Sequence, residues 1–143
     1  MREPWTQLFV HLVWSTWDRA PFLTAQIQPL VYDCLQGECS RLGADVIAIG
    51  GIEDHVHLLA RIPTTVSIAG LVKQLKGSSS HLVSHRLGET FKWQGGYGAF
   101  TVSKSNVPRV RSYVLRQEEH HRHGTLYLEV EPREARAKPS STV

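Results

Sequence analysis

Apolar residues fall in short blocks along this chain, and the spacing inside each block indicates what it forms. Gln7 to Trp14, QLFVHLVW, is apolar at nearly every position and rich in β-prone side chains. Such a run predicts a strand covered on both faces. From Ala25 to Leu42, the residues Ile27, Leu30, Val31, Cys34, Leu35 and Leu42 recur at three- and four-residue steps. That pattern predicts an amphipathic helix, with Thr24 as N-cap and Gly43 as stop. Ala44 to Ile52 and His55 to Ile62 predict two more strands, joined at Glu53-Asp54 as an antiparallel hairpin and ended by Pro63. Ser67 caps a second helix in which Ile68, Leu71, Val72, Leu75, Leu82 and Val83 line one face. A Gly-rich approach then leads into a short strand, Tyr97 to Ser103, and a last helix opens at Asn106, with Pro108 tolerated in its first turn.

The order β-α-β-β-α-β-α matches, in its first six elements, the split βαβ or ferredoxin-like pattern. The expected class is α+β: a βαββαβ antiparallel sheet, helices on one face, and a C-terminal helix. Residues 1–128 are expected to form one domain. Residues 129–143, EVEPREARAKPSSTV, read as a polar tail with little structure of its own. This scaffold hosts many chemistries, so function must come from particular residues.

Composition narrows the field modestly. The 143 residues suit a single domain, and 41% are hydrophobic, enough for a core. Sixteen Lys and Arg against 13 Asp and Glu leave a net charge of +3, which permits a polyanionic partner without demanding one. Cys34 and Cys39 lie five apart on an expected helix, a poor geometry for pairing, so free thiols and a reducing compartment are expected. No segment approaches the run of about 18 apolar residues that a membrane span needs. The expectation is a soluble cytoplasmic protein.

The chemistry centres on GIEDHVHLLA, Gly51 to Ala60. Alternation along a strand puts His55 and His57 on one face, with Leu59 and Arg61, and Val56, Leu58, Ala60 and Ile62 on the other. Two imidazoles about 6–7 Å apart along a strand are a workable pair of metal ligands. Two strand histidines facing solvent are the commoner situation, and a metal site needs at least one more ligand. The last helix offers candidates. Tyr113 and Gln117 are four apart and share a face beside the stripe Val107, Val110 and Val114, with His120 one turn further on.

With these residues in place, the chain resembles the single-strand DNA transposases that carry a His-hydrophobic-His motif and one catalytic tyrosine. That family includes small insertion-sequence transposases and the REP-associated tyrosine transposases. HLVWSTWDRAPFL, GGIEDHVHLLARIP, LVKQLKGSSS, WQGGYGAFTVS and YVLRQEEHHR look like family segments in family order, spanning about residues 7 to 123. The resemblance implies that His55 and His57 bind a divalent cation, Mg²⁺ or Mn²⁺. Gln117 would be the third ligand, with His120 as its substitute. Tyr113 would be the nucleophile, forming a 5′-phosphotyrosine. The implied substrate is single-stranded DNA with a hairpin, and the implied assembly a homodimer, with Tyr113 acting within or between protomers. Lys73, Lys76, Ser78, Arg86, Lys92, Arg109, Arg111 and Arg116 are candidate DNA contacts, and Trp5, Trp17 and Trp93 candidate stacking platforms. Two other classes compete: a zinc hydrolase in which Tyr113 is incidental, and a non-catalytic nucleic-acid-binding module.

Overall fold

The structure is a computed structural model, and it describes residues 4–132. Four strands form one antiparallel sheet: β1 (Phe9–Ser15), β2 (Asp45–Ile52), β3 (His55–Arg61) and β4 (Gly98–Val102), in the order β2-β3-β1-β4. Helices α1 (Gln28–Arg41) and α2 (Ile68–His81) cover one face. On the other face lies α3 (Val107–Leu115), followed by a short α4 (Gln117–His123). This is the expected α+β arrangement.

Strand alternation builds the two layers. Val10, Leu12 and Trp14 of β1, with Val56, Leu58 and Ala60 of β3, point into the main core against Val31 and Leu35 of α1 and Leu71, Val72 and Leu75 of α2. The opposite faces of β1 and β3 carry His11, His55, His57 and Leu59 toward α3, and the apolar part of that layer is small: Ala48, Leu59 and Val114, flanked by Ile47, Val102, Val107 and Val110. The division of β3 into a histidine face and an apolar face is the one its alternation predicts. A bulge between Val46 and Ala48 lets β2 serve both layers, Val46 in the main core and Ala48 under α3.

Element boundaries differ from expectation where local chemistry intervenes. Thr24 sits in a lead-in turn, bonding the amides of Ile27 and Gln28, and α1 proper starts at Gln28 with Pro29 in its first turn. Ser67 does cap α2, its Oγ accepting from the Gly70 amide at 3.0 Å. The last helix is broken: Arg116 leaves helical geometry (φ −112°, ψ 32°), so α3 and α4 are separate pieces. After Tyr127 the chain is not a free tail as far as Pro132. Leu128–Val130 form a 3₁₀ turn and Glu131 is buried. Residues 133–143 lie outside the described residues.

Candidate active site

β1, β3 and α3, with the segment after α4, converge on His55 and His57. Both imidazoles are buried, with ring centroids 5.0 Å apart. Their outward nitrogens are occupied. His55 Nδ1 lies 2.8 Å from Asp54 Oδ1, and an ionised carboxylate only accepts, so the proton of this bond belongs to the ring. Asp54 is itself held by Arg19, whose Nη2 donates to Oδ1 at 3.3 Å. Asp18 and Arg19 take left-handed backbone (φ 55° and 53°), an uncommon conformation for such residues, in the bend that carries Arg19 to this contact. His57 Nδ1 lies 2.8 Å from His11 Nε2 on the neighbouring strand. These outer partners fix both ring orientations and turn both Nε2 atoms inward, as is usual for metal-binding histidines.

The inward side is crowded with acceptors. Gln117 Oε1 lies 3.4 Å from His55 Nε2, and its amide orientation is fixed because Nε2 donates to the Tyr113 carbonyl at 3.1 Å. Glu131 reaches in from the C-terminal segment, Oε1 at 3.3 Å from His55 Nε2 and Oε2 at 3.3 Å from His57 Nε2. His121 Nε2 lies 3.2 Å from both Gln117 Oε1 and Glu131 Oε1. Yet His57 Nε2 and Glu131 Oε1 are buried without any hydrogen bond. Buried polar atoms left without a partner are costly. The donor set of two imidazoles, an amide oxygen and a carboxylate therefore fits a divalent cation, and ligand atoms of His55, His57 and Glu131 all lie within 4.8 Å of one another.

The electrostatics reflect this crowding. Burial drives His11 down to about 3, helped by His57, so it is neutral. Burial also lowers His57. His55 is raised, because Asp54 and Glu131 outweigh burial. Burial alone would raise the Glu131 carboxyl, but the two imidazoles hold it well below the usual carboxylate range.

Tyr113 closes the site. Its ring meets His57 edge-on at 5.8 Å, and its hydroxyl donates to Glu131 Oε2 and accepts from the Tyr127 amide at 3.0 Å. Tyr127 lies flat on the Tyr113 ring, centroids 3.9 Å apart. The phenol is buried at 1% exposure, and burial together with the Glu131 carboxylate pushes its pKa well above the ordinary value. What allows α3 to come this close is Gly50 on β2: a Cβ there would stand 1.9 Å from the Val114 carbonyl oxygen.

His55, His57, Tyr113 and Gln117 thus come together. His120 does not join them. Its Nδ1 bonds the Thr125 carbonyl and hydroxyl at 3.1 and 2.8 Å, and its ring packs on Tyr113. The four-residue step from Gln117 leads to His121 instead. Sequence reasoning also missed His11, Arg19 and Glu131. A lone histidine inside an apolar strand was a signal for His11; nothing local marked Glu131.

The proposed DNA contacts are scattered. Lys73, Ser78 and Arg86 belong to α2 and its continuation, on the far side of the sheet from the histidines. Lys76 spends its ammonium on the carbonyls of Gln94, at 2.8 Å, and Gly96. Trp93 is a core residue, donating from Nε1 to Ser79 Oγ at 2.8 Å and packing edge-on against Trp14, so it offers no face to a base. Lys92 lies over the exposed Trp17 ring at 4.0 Å, and Trp5 is exposed. Arg109, Arg111 and Arg116 are exposed on or beside α3, Arg109 lying over Tyr127. A cavity of about 500 Å³ opens beside Glu131, between β1 and the glycine-rich loop from Gln94 to Gly98.

The family model described as "Transposase IS200 like" matches residues 5–117, most of the chain, with all four strands and α1 to α3. The chain belongs to the IS200-like transposase family. Within that family the ISDra2 transposase TnpA of Deinococcus radiodurans is 28% identical over 118 residues, 78% of this chain and 84% of that protein. The crystal structure of a candidate transposase from Deinococcus radiodurans R1 superposes with a TM-score of 0.65 at 25% identity, over 80% of this chain and 93% of that one. A REP-associated tyrosine transposase bound to a REP hairpin shares the fold, with a TM-score of 0.63 at 12% identity, over 88% of this chain and 74% of that one. The IS200-like chain described here is accordingly a transposase, a DNA-cleaving enzyme. No described helix is long and apolar enough to cross a membrane.

Proposed function

We propose that this transposase cleaves and rejoins single-stranded DNA with Tyr113 as nucleophile and a divalent cation, Mg²⁺ or Mn²⁺, held by His55, His57 and Gln117. One observation carries the reading: the Tyr113 hydroxyl and the inward nitrogen of His57 contact the same carboxylate oxygen, within one chain. A bound cation would supply positive charge that polarises a phosphate oxygen and favours the phenolate. The protein's own groups do the rest. Tyr113 loses its proton and bonds the phosphorus; the bond from phosphorus to the 3′ oxygen breaks; that oxygen takes up a proton. The products are a 5′-phosphotyrosine and a free 3′-OH, and attack by a second 3′-OH reverses the sequence without an energy cofactor. Because Tyr127 lies flat on the phenol and its amide bonds the hydroxyl, a phosphate must displace Tyr127 to reach it.

Hairpin DNA is the proposed substrate, supported by the REP hairpin in the related structure. Arg109, Arg111 and Arg116 on the α3 side, with Lys92 and Trp17, are the contacts we retain, and they should make binding strongly salt-dependent. A homodimer belongs to the same proposal, although the chemistry described needs only one chain.

The test is incubation with hairpin-bearing single-stranded DNA and Mn²⁺, followed by denaturing electrophoresis. The wild type should yield a denaturation-resistant protein–DNA species; Tyr113→Phe, His57→Ala and addition of a chelator should each remove it. Cleavage that survives Tyr113→Phe would favour a hydrolase using metal-activated water instead.

A further inference from the structure

We propose that Glu131, in the segment after α4, is a carboxylate ligand of the same cation, so that the C-terminal segment supplies part of the metal centre. This rests on the metal-dependent reading above. Three observations carry it. First, Glu131 is the only carboxylate whose oxygens approach both inward imidazole nitrogens among the described residues, each at 3.3 Å. Second, those contacts are not hydrogen bonds: His57 Nε2 and Glu131 Oε1 are both buried and unpaired. With the outward nitrogens bound to Asp54 and His11, both inward nitrogens are turned to one carboxylate, a donor set that a divalent cation can join. Third, the spacings suit one. Ligand atoms at about 2.1 Å from an octahedral Mg²⁺ stand about 3 Å apart when adjacent. His55 Nε2 to Gln117 Oε1 at 3.4 Å extends the same set.

The carboxylate also places the nucleophile. Its Oε2 accepts from the Tyr113 hydroxyl, so a ligand oxygen would link the phenol to the cation. A hard oxygen anion is, besides, what a site for Mg²⁺ or Mn²⁺ otherwise lacks here, its remaining donors being two imidazoles and a neutral amide. Glu131 lies beyond residue 117, where the family match ends.

The test is Mn²⁺ binding by calorimetry on the full chain, without DNA, for wild type, Glu131→Gln, Glu131→Ala and His57→Ala, with melting of each metal-free protein to confirm folding. Loss of the carboxylate should weaken Mn²⁺ by about ten-fold or more in a protein that melts as a folded domain. Electron paramagnetic resonance of bound Mn²⁺ should change with it. Unchanged or tighter binding by folded Glu131→Gln would overturn the proposal, and would mean that the carboxylate competes for the place of the ion. Unchanged binding by His57→Ala would instead overturn the metal site itself.

Discussion

The side chains that decide this site differ in how their orientation is enforced. His55 and His57 are held from outside, by Asp54 and His11, and those bonds turn the inner nitrogens toward Glu131. Asp54 is therefore a positioning residue. Asp54→Ala should weaken Mn²⁺ by about ten- to a hundred-fold while the fold persists, and Asp54→Asn, which keeps an acceptor, should recover part of the loss; calorimetry reads both. Equal affinity in all three proteins would show that Asp54 serves only to anchor Arg19. The His pair, Tyr113 and Gln117 were legible in the sequence because strand alternation and the four-residue helical step place them without reference to the rest of the fold. His11, Arg19 and Glu131 were not, because each reaches the site through pairing or packing between segments far apart in sequence.

At the scale of elements, the determining contact is the one between α3 and β2. Gly50 lies opposite His57 in the β2–β3 pairing, and its missing side chain is what admits the Val114 carbonyl. Gly50→Ala must push α3 off the sheet, carrying Tyr113 and Gln117 with it. The expected cost is about 1–3 kcal/mol of stability by denaturant unfolding, with loss of covalent adduct even in the folded fraction. Wild-type stability and adduct yield would contradict the packing described. The pattern of apolar positions located the four strands and α1 to α3, since burial fixes their period. It could not locate the break at Arg116 or the return of the chain to the site at Glu131. The first is a local departure of the Arg116 backbone, and the second depends on Glu131 finding partners on β3. Trp93 was misread for a related reason: its aromatic face carries no sign of whether a core or a base will cover it, and here Trp14 and Ser79 do.

Across the whole molecule, the sheet separates two jobs. The α1–α2 side holds the large apolar core, and the α3 side gives up apolar packing to gather buried polar groups. Such a gathering is costly without a counter-charge, so a cation that binds only the native state should stabilise it measurably. Mn²⁺ at a hundred times its dissociation constant should add about 2.7 kcal/mol and raise the melting temperature, an effect that His55→Ala abolishes. A melting temperature indifferent to Mn²⁺ and chelator would count against a metal centre on this face. The central claim is that Tyr113 takes the phosphate. It is tested most directly by isolating the protein–DNA adduct formed with hairpin DNA and Mn²⁺, digesting it, and mapping the modified peptide by mass spectrometry. The expected result is a single nucleotide-bearing peptide with the 5′ phosphate on Tyr113. A phosphate mapped to any other side chain, or strand cleavage with no covalent peptide at all, would contradict it.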